Sequence, residues 1–441
     1  MLYIYSHAHI ITMDQNGEYE NGYICTDTAN GRILDIGPMT DFAHLSYLSR
    51  EDVRIIDLDG SWILPAFIDS HSHLGLFDDG LDFEGDDGNE DTDPITPQVR
   101  AIDGVFNGDP CFREAYEAGV GIVMTGPGSG NVMGGQFAIL KTYEKTVDRA
   151  IINAFAAQKA ALGENPKRVY GKDNKTPATR MGSAALLRDI LYKAKDYENK
   201  WTRYQKKADE YLAADKEDSD DEDPEPPDFD LQLDSLLPLL RGQIPLKIHA
   251  HRQDDILTAV RLCNEFGLSY TLDHCTEGYL IADILADEYQ AGHAPGRGTG
   301  NREALGGRLM GVIIGPVISD RSKPELSNLS LRSAGTLKAA GLPVCVMTDH
   351  PCVPQQYLSL SAALTVRGGM DSQTALQAIT TEPARLLGID RDYGSLAVGK
   401  MADMTVFTEH PFSYQARVRL FVGGGVGRYD PDGLWAAGGN G

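Results

Sequence analysis

Three His-x-His pairs stand out among the eleven histidines of this 441-residue chain: His7/His9, His71/His73 and His249/His251. On an extended strand, positions i and i+2 share a face, so each pair can present two imidazoles together. Neutral imidazole is a common ligand for divalent metals. Position along the chain separates the three pairs. His71 and His73 close the apolar run ILPAFIDSHSH and precede a long acidic stretch. His249 ends PLKIHA, His274 ends SYTLDH and Asp349 ends LPVCVMTD, each an apolar run of its own. His7 and His9 come before any strand–helix unit and read as edge-strand histidines.

Such ligands need a frame that gathers the ends of separate strands. WILPAFIDSH, GVGIVMTG, AIINAFAAQKAAL, PLKIHAH, SYTLDHC, GVIIGPVI and LPVCVMTD read as strands, and amphipathic segments such as DDILTAVRLCNEFG follow several of them. Strand–helix alternation over this length predicts an α/β fold, a TIM-like (β/α)₈ barrel whose site lies at the strand C-termini. Both chain ends instead carry short strands and glycine turns, including the hairpin signal Asn30-Gly31. They are expected to pair as a small β-sandwich. The expected organisation is residues 1–60 and 394–441 in the sandwich, with 61–393 in the barrel. In that frame His71, His73, His249, His274 and Asp349 converge on one rim, a nitrogen/oxygen set suited to a divalent cation such as zinc. Hydrolysis by a metal-acidified water is the chemistry such a set serves.

Composition narrows the function further. The net charge of −24 is concentrated in 78–93, with nine acids and no base, and in 215–230, with ten acids and one lysine. Without the basic footprint that phosphates demand, nucleic-acid binding is not expected. No run of about 18 apolar residues or secretory leader is present, so no membrane association is expected. Six scattered cysteines without a CxxC pair fit reduced thiols in a cytoplasmic protein. The insert at about 214–230 reads as a solvated loop, as does the glycine-rich AGHAPGRGTGNREALGGRLMG. PGSGNVMGGQ lacks the Gly-Lys-Ser/Thr ending of a phosphate loop and reads as a tight βα loop.

Taken together, ILPAFIDSHSHLG, GDDGNEDTDPITPQVRAID, GVGIVMTGPGSGNVMGGQ, ALGENPKRVYG, IPLKIHAHRQDDI, TLDHCTEGY, VMTDHP and TTEPARLLGID…GSLAVGKMADMTVF resemble the amidohydrolase superfamily of metal-dependent hydrolases. The branch they resemble is the imidazolonepropionase-like or prolidase-like one, and the likeness runs through essentially the whole chain. It implies one or two divalent metals, zinc by preference, and cleavage of an amide, cyclic amide or peptide C–N bond in a small-molecule substrate. His71, His73 and Asp349 would hold the more buried metal, and His249 and His274 a second. Asp349 would also move a proton from water to the leaving nitrogen. With one metal only, His274 would orient the water or polarise the carbonyl. For a bridging group, the resemblance suggests a carboxylated lysine or a glutamate. Lys159 in its apolar strand is the first candidate, Glu164 the alternative and Lys141 a third. His251 and Arg252 are candidates for substrate binding, Arg252 through a carboxylate. His350 is expected to pack in a loop, and the acidic stretch 78–93 to lie over the site. A superfamily deaminase and a non-catalytic scaffold paralogue are the competing readings, and a homo-oligomer is compatible with the sequence.

Overall fold

The computed structural model describes residues 1–213, 223–294 and 306–437. Five strands open the chain: β1 Leu2–Ile11, β2 Glu18–Asp27, β3 Arg32–Pro38, β4 Val53–Asp57 and β5 Trp62–Pro65. Eight more follow: β6 Phe67–Ser72, β7 Val120–Thr125, β8 Met133–Lys141, β9 Ile151–Ala161, β10 Leu246–Ala250, β11 Ser269–His274, β12 Arg308–Ile314 and β13 Val344–Val346. The last three are β14 Met404–Phe407, β15 Val418–Gly423 and β16 Val426–Tyr429.

β1–β5 and β14–β16 form one sheet, ordered β16-β15-β14-β5-β1-β2-β3 with β4 also on β1. The seam between the two chain ends is the antiparallel pairing of β5 with β14, Ile63 opposite Val406. β1 pairs with β2, β4 and β5, so His7 and His9 lie on a central strand rather than the expected edge. His9 stacks on Trp62 with ring centroids 3.7 Å apart, a packing role within this sheet.

The run WILPAFIDSH is divided between two sheets. β5 stays in the terminal sheet, the Ala66 N–H donates to Asp403 O, and β6 opens the barrel. Strands β6 to β13 are neighbours in sequence order and form a nearly closed eight-stranded barrel. No ladder joins β6 to β13. At the rim, the Asp349 N–H donates to His71 O (3.2 Å) and the His73 N–H to His350 O (3.0 Å), so the gap is bridged beside the histidines.

One strand departs from the expected alternation. β8, read from sequence as the end of a βα loop, runs antiparallel to both β7 and β9. Its connections are short, and short connections favour antiparallel neighbours. The glycines that look like loop sequence serve close approach: a Cβ on Gly135 would lie 2.3 Å from Val99 O. Gly134 likewise leaves room for the buried stem of Lys159. The seven remaining barrel strands run parallel to one another.

Helices cover the outside. Gln253–Phe266 buries Ile256, Ala259, Val260 and Cys263 against β10 and β11, and ends on Gly267 in the left-handed conformation (φ 65°). A 34-residue helix, Arg180–Ala213, packs Leu187, Ile190 and Leu191 on the same core. Of the acidic insert, 214–222 lies outside the described residues, and of the glycine-rich stretch so does 295–305. Its ends are the last residues of the helix Ala282–Gly292 and the start of β12.

Candidate metal centre

The barrel strands deliver their histidines to one rim. His71 and His73 lie at the end of β6, His249 at the end of β10 and His274 at the end of β11. Asp349 follows β13, and all five side chains are buried. One donor atom each from His71, His73 and Asp349 lie within 4.8 Å of one another. The same holds for His249, His251 and His274. The two groups abut, the His71 and His274 rings being 5.4 Å apart between centroids.

Each imidazole is held through Nδ1. His71 donates to Asp273 Oδ2 (2.6 Å), His73 to Gly126 O (2.6 Å) and His274 to Gly315 O (2.8 Å). Ser129 Oγ lies 2.8 Å from His249 Nδ1, and Thr276 Oγ1 lies 2.7 Å from His251 Nδ1. Such bonds fix the ring orientation and leave Nε2 available to a ligand. His73 Nε2 and His71 Nε2 stand 3.2 and 3.5 Å from Asp349 Oδ1. His274 Nε2 is buried with no hydrogen-bond partner among the described residues. A buried imidazole nitrogen facing two others is costly unless something electron-poor lies between them. The donor set therefore fits a cation.

Backbone geometry explains how neighbours on one strand both reach the interior. Alternation alone would send Asp273 and His274 to opposite faces. His274 adopts a left-handed backbone conformation (φ 68°), as does Asp349 (φ 56°), which redirects the chain where these candidate donors emerge.

Charges below the rim set the electrostatics. Lys247 Nζ donates to Asp273 Oδ2 (2.8 Å) and Ser70 O (3.0 Å), and Lys159 Nζ lies 3.3 Å from His71 Nε2. Burial lowers the Lys159 amine to about 8. Burial, reinforced by Lys159 and Lys247, also keeps His71 neutral, well below the ordinary imidazole range. His274 is pushed down to about 4, again first by burial. Burial alone would raise Asp349, but His274, His73 and His71 outweigh it and hold the carboxyl far below its usual range. Neutral imidazoles and an ionised carboxylate are the forms that ligate metals.

Other expected residues fall differently. His251 joins the second donor group, although the sequence had suggested a substrate contact. The Arg252 guanidinium is paired with Asp254 at 3.0 Å on the surface and is not among these donors. Glu164 starts the helix Glu164–Gly171, where its backbone N–H donates to Glu325, and its carboxylate belongs to neither group. Lys141 lies at the far end of β8, near the Tyr143 ring. The acidic stretch is pinned to the loop before β8, with the Gly130 N–H on Asn89 Oδ1 and Asn131 Nδ2 on Glu90 O and Asp93 O.

Sequence reasoning passed over Asp273, Lys247, Ser129 and Lys323. Lys247 carried a signal, a lysine in an apolar strand two residues before His249 and so on its face. Lys323 carried none; its Nζ donates to Asn165 Oδ1 (3.0 Å), and Asn165 Nδ2 lies 3.4 Å from His249 Nε2.

Comparison with known proteins gives a consistent picture. A family model described as the amidohydrolase family matches residues 307–426. The chain is 34% identical, at a TM-score of 0.84, to a crystal structure of an amidohydrolase from Thermotoga maritima MSB8, covering 97% of this chain and 100% of that one. It is 30% identical over 406 residues to amidohydrolase tasK of Hapsidospora irregularis, covering 86% of this chain. It spans only 38% of the length of that relative. It is also 25% identical over 408 residues to the imidazolonepropionase of Maricaulis maris (strain MCS10), covering 86% of this chain and 85% of that protein.

Proposed function

Because the chain belongs to the amidohydrolase family, we propose that it hydrolyses a carbon–nitrogen bond of a small molecule at the paired donor groups of the barrel rim. The observation that carries this reading is the set of five imidazoles tied through Nδ1, gathered beside one ionised carboxylate. His71, His73 and Asp349 would hold one cation, and His249, His251 and His274 a second. The nitrogen-rich donors favour zinc. What a cation supplies there is a water of lowered pKa and polarisation of the substrate carbonyl.

The chain's own residues do the rest. Asp349 accepts a proton as water adds to the carbonyl carbon, and returns it to the nitrogen as the C–N bond breaks. Lys159 beside His71 is the group that would carry a carbamate, since an amine lowered by burial to about 8 has a far larger neutral, nucleophilic share near neutral pH than an ordinary lysine. Lys323, rather than Arg252, is the cation placed to meet a substrate carboxylate, because Asn165 links it to His249. The substrate classes favoured are cyclic amides of the imidazolone type and N-acyl or Xaa-Pro compounds. Five buried free cysteines support a reducing, cytoplasmic setting, and no helix among the described residues is long and apolar enough to cross a membrane.

The test is a hydrolysis screen of the zinc- or manganese-loaded protein. It should span imidazolones, hydantoins, lactams, N-acyl amino acids and dipeptides, with purines and pyrimidines alongside. Metal-dependent ring opening or amide cleavage supports the proposal. Ammonia release confined to the heteroaromatic amines would replace it with a deaminase, and no metal binding would leave a scaffold.

A further inference from the structure

A further group of ligand-type side chains draws on the loop that carries Asp349. Asp109 precedes the helix Pro110–Glu117 and caps it, Oδ1 accepting from the Cys111 N–H at 2.9 Å. That bond fixes the carboxylate, whose second oxygen, Oδ2, is buried with no hydrogen-bond partner among the described residues. Cys111, in the first turn, is buried as well.

His350 comes from the loop after β13 and is only 3% exposed. Neither of its ring nitrogens has a hydrogen-bond partner among the described residues. A neutral imidazole carries one N–H donor and one lone pair, so burying both unsatisfied needs an explanation. One donor atom each from Asp109, Cys111 and His350 lie within 4.8 Å of one another.

We propose that Asp109, Cys111 and His350 form an additional divalent-cation site of zinc type, structural in role and separate from the histidine centre. Zinc–ligand bonds of about 2.0–2.3 Å in a tetrahedron set donors roughly 3.3–3.8 Å apart, so small side-chain rotations close the site. Thiolate, imidazole and carboxylate together select zinc over calcium or magnesium, which prefer oxygen alone. Asp78 stands outside this close trio, but its Oδ1 is buried without a partner among the described residues and burial, with the charge of Asp109, raises its carboxyl, so a side-chain rotation would bring it in as the fourth ligand. The cation would join the start of the acidic stretch, the helix Pro110–Glu117 and the loop after β13. Because the His73 N–H donates to His350 O, the same cation would steady the backbone beside Asp349.

Cobalt(II) loading tests this independently of turnover. Thiolate bound to cobalt gives an intense near-ultraviolet charge-transfer band that nitrogen and oxygen ligands do not give. Cys352 lies against Asp349, so it supplies the control. The band is expected in the unaltered protein and in Cys352→Ser, and absent in Cys111→Ser. Zinc content by plasma mass spectrometry should fall by one equivalent per chain in Cys111→Ser and in Asp109→Asn. The latter keeps a helix-capping oxygen, so loss of folding is not expected to obscure the result. No band in the unaltered protein, a band that survives Cys111→Ser, one lost only in Cys352→Ser, or unchanged zinc content would each overturn the proposal.

Discussion

His71 and Asp273 meet at 2.6 Å inside the barrel, both side chains fully buried. One comes from β6 and the other from β11, and Lys247 from β10 closes the set on the same oxygen, Asp273 Oδ2, at 2.8 Å. The lysine compensates a carboxylate that would otherwise be costly to bury, and the carboxylate orients the imidazole. Together they hold Asp273 ionised far below the usual carboxylate range, although burial by itself would raise it.

Replacing Asp273 by Asn preserves size but removes the charge that holds His71 through Nδ1. Metal affinity should fall by about 10–100-fold, the usual cost of losing a partner that orients a ligand. Zinc competition against a chelator measures it directly. Unchanged affinity would mean that Asp273 only neutralises Lys247.

The proton-transfer role of Asp349 predicts a different profile. Asp349→Asn should lower turnover by about 10²–10⁴-fold or more, the range expected for loss of a general acid–base group. Its circular dichroism should match that of the unaltered protein. Full activity in a folded Asp349→Asn enzyme is incompatible with the assigned role.

Carbamate formation on Lys159 consumes the neutral amine. With the amine lowered to about 8, its neutral share grows roughly tenfold per pH unit below that value. Activation of metal-free protein by zinc plus bicarbonate should therefore be faster at about pH 8.5 than at about pH 6.5, either side of the amine's value of about 8. Lys159→Met should show no bicarbonate dependence. Equal activation rates at both pH values would argue for an uncarboxylated lysine.

Phe137 on β8 is fully buried, with its ring 5.3 Å from His71 and 5.4 and 5.5 Å from Nζ of Lys159 and Lys247. Phe137→Ala should cost about 3–5 kcal/mol of stability, as large-to-small core changes do. Urea denaturation of the metal-free protein gives the number. A loss under about 1 kcal/mol would show that the β8 region repacks freely.

Read alone, the sequence points to the candidate donors and to the strand ends that carry them. His71, His73, His249, His274 and Asp349 each close an apolar run, and hydrophobic patterning alone drives such runs into a buried sheet with their ends at one rim. It also determined that Lys159 is unusual, since a charge inside an apolar strand demands a partner wherever the strand lies. Whatever depends on proximity between distant segments came only with folding. β8 reads as loop because Gly134 and Gly135 answer to close approach by Lys159 and Val99, contacts without local trace in the sequence. Arg252 and Lys323 are both cations to the sequence, yet one is paired with Asp254 and the other linked through Asn165 to His249. His71 and Asp273 are 202 residues apart, and only closure of the barrel makes them neighbours.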